Sequence, residues 1–305
     1  MIDLDGLPTR QPLPEFEIST GGIEFKTEEH LGYQINFFSK VANRILVRIA
    51  KFDCRYYDQV EKEILKIKLE KWIAPKSKVF IKTDYHKSRL NNEKNIFEAA
   101  SNSLKKMGFT LAESDENAQI MFLRFEKDRA TVSLDTSGEH LHRRGYAVYR
   151  GEAPIRENLA AIVVRQLRKV AKAKDAQTIV DPFAGSGTML FEAASEHEPN
   201  FQRVYSWLNF LNAPKLFKSE SWKKNYRWLT TEKQIQLIGI DLDEKSNVNA
   251  NKNTELFEKL YPQVKSKFNW IHLDSLSIDF KELSDLDSYW IVTNPPYGYR
   301  LSDEG

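Results

Sequence analysis

The chain has 305 residues, 41% of them hydrophobic and 29% charged, with a formal net charge of +2; such a composition excludes a disordered or collagen-like chain and leaves apolar material for one or two cores. No run approaches the roughly 20 apolar residues needed to span a bilayer, and the acidic start Met1-Ile2-Asp3-Leu4-Asp5 is no secretory signal. Cys54 is the only cysteine, which excludes an intrachain disulfide and a cysteine zinc cluster, so the expectation is a cytoplasmic protein with no membrane partner and no metal.

Residues 1–22 carry Pro8, Pro12, Pro14, Gly21 and Gly22 with little periodicity, and predict an extended arm ending in a turn. A helix follows over 29–40, a strand over 44–50, and an amphipathic helix over 57–72 with Val60, Ile64, Ile67 and Trp72 on or near one side. Residues 79–83 read as a strand and 93–107 as a helix stopped by Gly108, while 120–125 and 130–135 form a hairpin about Asp128. Short strands and helices mixed in this order predict an α+β first half. Residues 62–106 hold eleven lysines and Arg89 against five acidic residues, a local net of +7. A solvated helical face is the ordinary explanation, and an electrostatic footprint for a phosphate backbone the functional one.

The second half has another rhythm. A helix over 154–172 precedes a strand at 178–180, a glycine-rich turn and a helix over 187–196. Then come a strand at 236–240, a helix over 244–260, and strands at 268–272 and 289–293. Strands alternating with helices predict βαβ units and a parallel sheet. The segment 136–151, with Gly138, Gly145, Gly151, Arg143, Arg144 and Arg150, joins the halves, which divides the chain into units 1–150 and 151–305.

Chemistry concentrates in the second unit. Asp181-Pro182-Phe183-Ala184-Gly185-Ser186-Gly187-Thr188 runs from a strand through a glycine turn into a helix, and glycines there allow positive φ and close approach of a ligand to the backbone. It is neither a G-x-G-x-x-G nor a Walker A pattern. The next strand ends in Gly239-Ile240-Asp241-Leu242-Asp243; Asp241 suits ribose hydroxyls and Asp243 suits a helix N-cap. Asp274, after the third strand, could accept a hydrogen bond from an adenine amine or close an Asx turn. After the fourth strand, Asn294-Pro295-Pro296-Tyr297 sets an amide, a proline carbonyl and a ring on a backbone stiffened by two prolines. Such a loop can accept two hydrogen bonds from a planar NH2 group while the ring stacks on the base that carries it. Glycine turn and loop together point to methylation of an exocyclic nitrogen.

These two stretches resemble the class I S-adenosylmethionine-dependent methyltransferases that modify exocyclic amines, a loop shared by DNA adenine-N6, protein glutamine-N5 and RNA guanine-N2 enzymes. Residues 134–146 (Leu134-Asp135-Thr136-Ser137-Gly138-Glu139-His140-Leu141-His142-Arg143-Arg144-Gly145-Tyr146) with 153–161, Gly21 to Phe25, His86 to Leu90 and Asn294 to Leu301 look like the bacterial THUMP-domain 23S rRNA guanine-N2 methyltransferases. The resemblance runs from about residue 16 to the end. It implies an α/β fold: a Rossmann-like class I methyltransferase domain preceded by an α+β ferredoxin-like/THUMP module that engages RNA, most of all rRNA. It further implies that Asp181, Pro182, Phe183, Gly185, Gly187, Thr188 and Asn294 border S-adenosylmethionine, with Asp241 at the ribose and Asp274 at the adenine. Asn294 and Pro295 would hold guanine N2, with Pro296 shaping the loop and Tyr297 stacking, and the methyl would pass directly from the sulfonium. Lys82, Lys87 and Arg89, with Arg143 and Arg144 at the junction, would meet RNA phosphates, positioning without reading sequence.

Two departures from the family pattern stand out. The opening strand and helix are shortened or replaced by the proline-rich arm. The chain also stops at Gly305, just past the fourth catalytic strand of a seven-strand fold, so the expectation is a C-terminally incomplete sheet that a missing segment or a partner chain completes, with weak activity alone. A tRNA guanine-N2 or DNA adenine-N6 enzyme is the related alternative, and a non-catalytic RNA-binding protein with a truncated methyltransferase domain the alternative of another class. The stretch 199–234 mixes Phe201, Tyr205, Trp207, Phe210, Phe217, Trp222, Tyr226 and Trp228 with basic residues; packing is the first expectation for those rings, and base stacking the second.

Overall fold

The computed structural model describes residues 15–19, 21–151, 154–170, 178–218, 234–278 and 289–296. The chain opens with an antiparallel hairpin of β1 (Phe16–Ser19) and β2 (Gly22–Phe25), turning at Gly21 with φ +82. Residues 16–19 of the expected arm are thus a paired strand and its closing turn falls at Gly21 as expected, while residues 1–14 lie outside the described residues. Helix α1 (Glu29–Phe38) leads to β3 (Leu46–Asp53), α2 (Tyr57–Leu65), β4 (Lys78–His86), α3 (Glu93–Lys106), β5 (Thr110–Leu111), β6 (Gln119–Glu126) and β7 (Arg129–Asp135). The helix expected over 57–72 stops at Leu65, with a separate 3-10 turn at Leu69–Lys71. Helix α3 shows how local chemistry sets an element: the Asn92 side chain caps the Asn95 amide at 3.1 Å, Ile96, Ala100 and Leu104 form its buried stripe, and Gly108 at φ +84 ends it. The five strands order as β3-β7-β6-β4-β5. The β6–β7 hairpin turns on Lys127 and Asp128, both at positive φ, as a two-residue hairpin turn requires.

The second sheet begins after α4 (Glu157–Val170). It comprises β8 (Thr178–Asp181), β9 (Gln236–Asp241), β10 (Lys267–His272) and β11 (Tyr289–Ile291), all parallel, in the order β10-β9-β8-β11. Helix α5 (Thr188–Ala194) follows β8, and α6 (Glu244–Leu260) follows β9. The strand order reverses beside β8, and at such a switch point the loops after neighbouring strands diverge and leave a crevice. Among the described residues no helix is long and apolar enough to cross a membrane.

The halves share buried contacts. Tyr205, Trp207, Phe210 and Phe217, from the stretch after α5, are buried in the core of the first sheet, where Trp207 stacks on Tyr33 with centroids 4.8 Å apart. Packing therefore accounts for those rings; Trp222, Tyr226 and Trp228 lie outside the described residues. A polar cluster seals the junction. Buried Lys40 donates to Ser195 Oγ and to Tyr261 Oη, both at 3.3 Å. Arg144, 4% exposed, donates to both carboxylate oxygens of Glu192 at 3.2 Å and to the carbonyls of Leu141 and Lys40. Burial works against its charge, but Glu192 together with Tyr261 and Tyr146 more than offsets that, so the pKa of Arg144 is raised. Tyr146 adds a 2.6 Å bond to Glu192. This corrects the expected RNA role of Arg144: its donors are spent inside the protein, and a buried guanidinium cannot reach a phosphate.

Candidate cofactor and amine site

The C-terminal ends of β8, β9, β10 and β11 lie along one edge of the sheet and carry those of the expected cofactor and amine residues that the structure describes. Asp181 ends β8 and is buried. Its carboxylate accepts from the Phe183 amide at 3.1 Å, which closes an Asx turn and starts the glycine loop. The loop lies over β9 because Ala184 N donates to Ile240 O at 2.9 Å and Gly185 N donates to Asp241 Oδ2 at 2.8 Å. The other Asp241 oxygen accepts from Asp243 N at 2.9 Å. Asp241 thus joins the glycine loop to the loop after β9, and a carboxylate with about four lone-pair sites retains acceptor capacity beyond these two bonds. Asp243 accepts from Lys245 N and Ser246 N, both at 3.1 Å, and is the N-cap of α6 as expected. Asp274 closes a turn through Leu276 N at 3.0 Å, so the Asx-turn alternative is realised at that position.

Burial pushes the Asp181 carboxyl up to about 7, its hydrogen-bonding neighbours hold it down, and the nearby Asp241 charge raises it further. Burial is the main cause of that rise, and a cation bound beside Asp181 would favour its ionised form. The glycines divide their work. Gly185 has φ +54 and open space where a side chain would begin, which leaves a cradle for a ligand. Gly187 has φ +91 and abuts protein instead: a Cβ there would lie 2.5 Å from the Trp270 ring and 2.8 Å from Phe191. Thr188 opens α5 behind it.

On the far side of β8, Val292 donates to Val180 O at 3.0 Å and is buried, which fixes where the Asn294-Pro295-Pro296 segment leaves the sheet beside Asp181. Asn294 is half-buried and both prolines are exposed; Tyr297 lies outside the described residues. Pro182 and Phe183 form the turn between Asp181 and the glycines.

Two residues that support the site are not evident from the sequence. Trp270 of β10 crosses its neighbour: a Cβ on Gly239 would meet its ring at 2.3 Å, and its Nε1 donates to Thr254 Oγ1 of α6 at 2.9 Å. The ring lies under the glycine loop. Gly239, isolated in an otherwise apolar strand, is the one local signal of close approach. Asn253, fully buried on α6, pairs with both the amide and the carbonyl of Tyr149 at 3.0 and 2.8 Å and donates to Ser186 O at 3.1 Å. It ties the junction segment to the glycine loop.

Of the expected phosphate contacts, Lys82 pairs with Asp115 at 2.8 Å, Arg89 lies 3.9 Å from Asp128, Arg143 pairs with Glu139 at 3.1 Å, and Lys87 is exposed at φ +47. All four are surface groups, and the acidic partners of the three paired ones belong to the first half of the chain rather than to the crevice.

A four-stranded parallel sheet in this order, carrying a glycine loop and carboxylates on one edge, defines a Rossmann-like methyltransferase domain behind an α+β region. The chain belongs to the RMKL-like methyltransferase domain family (UPF0020), whose profile matches residues 144–305. It is similar to the ribosomal RNA large subunit methyltransferase K/L of Syntrophotalea carbinolica, 27% identical over 310 residues; the match covers 95% of this chain and 42% of that relative, so the chain spans under half the length of the curated relative it matches. Two solved structures share the fold at 22% identity, each covering 95% of this chain and 76% of the other. They are a predicted N6-adenine-specific DNA methylase from Listeria monocytogenes, with a TM-score of 0.76, and a putative methyltransferase complexed with SAH, with a TM-score of 0.75.

Proposed function

We propose that the chain is an S-adenosylmethionine-dependent methyltransferase acting on the exocyclic N2 of guanine in RNA, with 23S rRNA as the first substrate to test and residues 1–150 as the RNA-engaging module. The observation that carries it is the convergence of Asp181, Gly185, Asp241 and Asn294 at one sheet edge, with the glycine loop bonded directly to Asp241. The acidic pair suits a cationic donor, and the open space at Gly185 suits a nucleoside. The donor, when bound, supplies a methyl group already activated on a sulfonium. The work left to the chain is positioning. The Asn294 side-chain oxygen and the Pro295 carbonyl accept the two N2 hydrogens and direct the nitrogen, and Tyr297 stacks on the base. The guanine must be unstacked to reach the loop. The K/L relative's name gives ribosomal RNA as its substrate, while the Listeria protein's name gives adenine in DNA; the exocyclic amines of guanine and adenine both suit the same loop.

Asn294→Ala tests the assignment. Misplacing the amine should cut methyl transfer to undermodified 23S rRNA by about a hundredfold, with S-adenosylmethionine affinity by titration calorimetry nearly unchanged. Wild-type turnover in that variant refutes it.

A further inference from the structure

The first module carries a cleft that none of the residues above uses. It is a hollow of about 570 Å³ between the end of β4 and the start of α3, lined by Ile81, Thr83, Tyr85, Asn92, Glu93 and Phe97 among others. The alternation of β4 explains it. Val79, Ile81, Thr83 and Tyr85 point to the helix side of the sheet, but α3 begins only at Glu93, so the last of these positions has no helix over it. Tyr85 is therefore 43% exposed and, on the facing wall, Phe97 is 41% exposed. The loop that joins the walls, residues 87–92, carries the exposed Lys87 and Arg89.

We infer that this cleft is a nucleobase-stacking site for single-stranded RNA, with Tyr85 and Phe97 as platforms and Lys87 and Arg89 on the phosphates; the inference rests on the RNA reading given above. Two exposed rings beside a basic loop are the arrangement by which proteins hold unpaired strands, because every base offers a π face and every nucleotide a charge. Glu93 adds selectivity. Thr83 Oγ1 donates to its Oε1 at 3.1 Å, which fixes a carboxylate on the cleft wall. A carboxylate accepts from an amine and repels a carbonyl oxygen, so cytosine, with its N4 amine, is favoured over uracil, with O4 in the same place.

The test is fluorescence anisotropy of the full chain with labelled twelve-residue oligo(C) and oligo(U) and with an RNA duplex of the same length. The double variant Tyr85→Ala/Phe97→Ala should bind oligo(C) about tenfold more weakly, with duplex binding little changed. Tyr85→Phe should retain wild-type affinity, which separates ring stacking from a general loss of structure, and Glu93→Gln should narrow the preference for oligo(C) over oligo(U). If the ring variants bind like wild type while Lys87→Ala/Arg89→Ala weakens binding, the stacking site is overturned and the RNA reading stands. If the wild-type chain binds none of the three RNAs, both fall.

Discussion

The tight approach of the Trp270 ring to Gly239 makes Gly239→Ala a demanding test of the site's architecture. An alanine Cβ would lie 2.3 Å from two ring atoms and 3.0 Å from the Ala184 Cβ, so either the indole or the glycine loop must move. The indole is held on its other sides: Nε1 is bonded to Thr254, Phe268 stacks at 5.8 Å and Phe191 lies at 5.6 Å. Overpacking a filled site costs about 1–3 kcal/mol, and loss of the Thr254 bond adds about 1 kcal/mol, so the variant should lose about 2–4 kcal/mol in urea unfolding. Because the indole supports the loop, its affinity for S-adenosylmethionine should fall as well. The control is Trp270→Leu, which removes the obstruction at its own cost. In the double variant the Gly239→Ala cost should largely vanish, a coupling of about 2 kcal/mol in the mutant cycle. An alanine that costs under about 0.5 kcal/mol, or costs that simply add in the double variant, would refute the crossing of Trp270 over β9.

Two further outcomes follow from buried charges. Asp181 has a folded pKa of about 7 against 3.8 for the free group. A raised carboxyl favours the protonated form, so its ionisation destabilises the fold increasingly from about pH 4 to pH 7. Asp181→Asn should therefore gain about 2–3 kcal/mol relative to wild type between about pH 5 and pH 8, read from paired thermal melts, and a pH-independent difference contradicts the burial argument. Binding of the cationic donor should strengthen over the same range. Glu192→Gln strands Arg144 at the junction and should cost about 3–5 kcal/mol, whereas Arg144→Met/Glu192→Leu should cost less than that single change; urea unfolding curves showing the double variant to be the worse of the two would oppose this.

Elements that carry their own local chemistry are legible in the sequence. Helix α6 begins and ends where its Asp243 cap and apolar spacing place it, and the β6–β7 hairpin turns at Asp128 as its pattern indicates. The apolar spacing over 57–72 overstates its helix because Ile67 and Trp72 continue the pattern, while the backbone closes at Leu65 and re-forms as a 3-10 turn. Arg144 misleads for a different reason. In sequence it sits beside Arg143 in a basic run, and its partner Glu192 is 48 positions away.

The strand-to-loop junctions of the candidate site are written locally, because an Asx turn, positive-φ glycines and a proline-stiffened loop depend on residues within a few positions of one another. Which charges are buried, which aromatics belong to a core, that Trp270 underlies the glycine loop, and that Tyr85 and Phe97 stay open to solvent emerge only when the chain is folded. Those outcomes depend on partners distant along the chain, and burial, unlike a turn, is a property no short segment carries on its own.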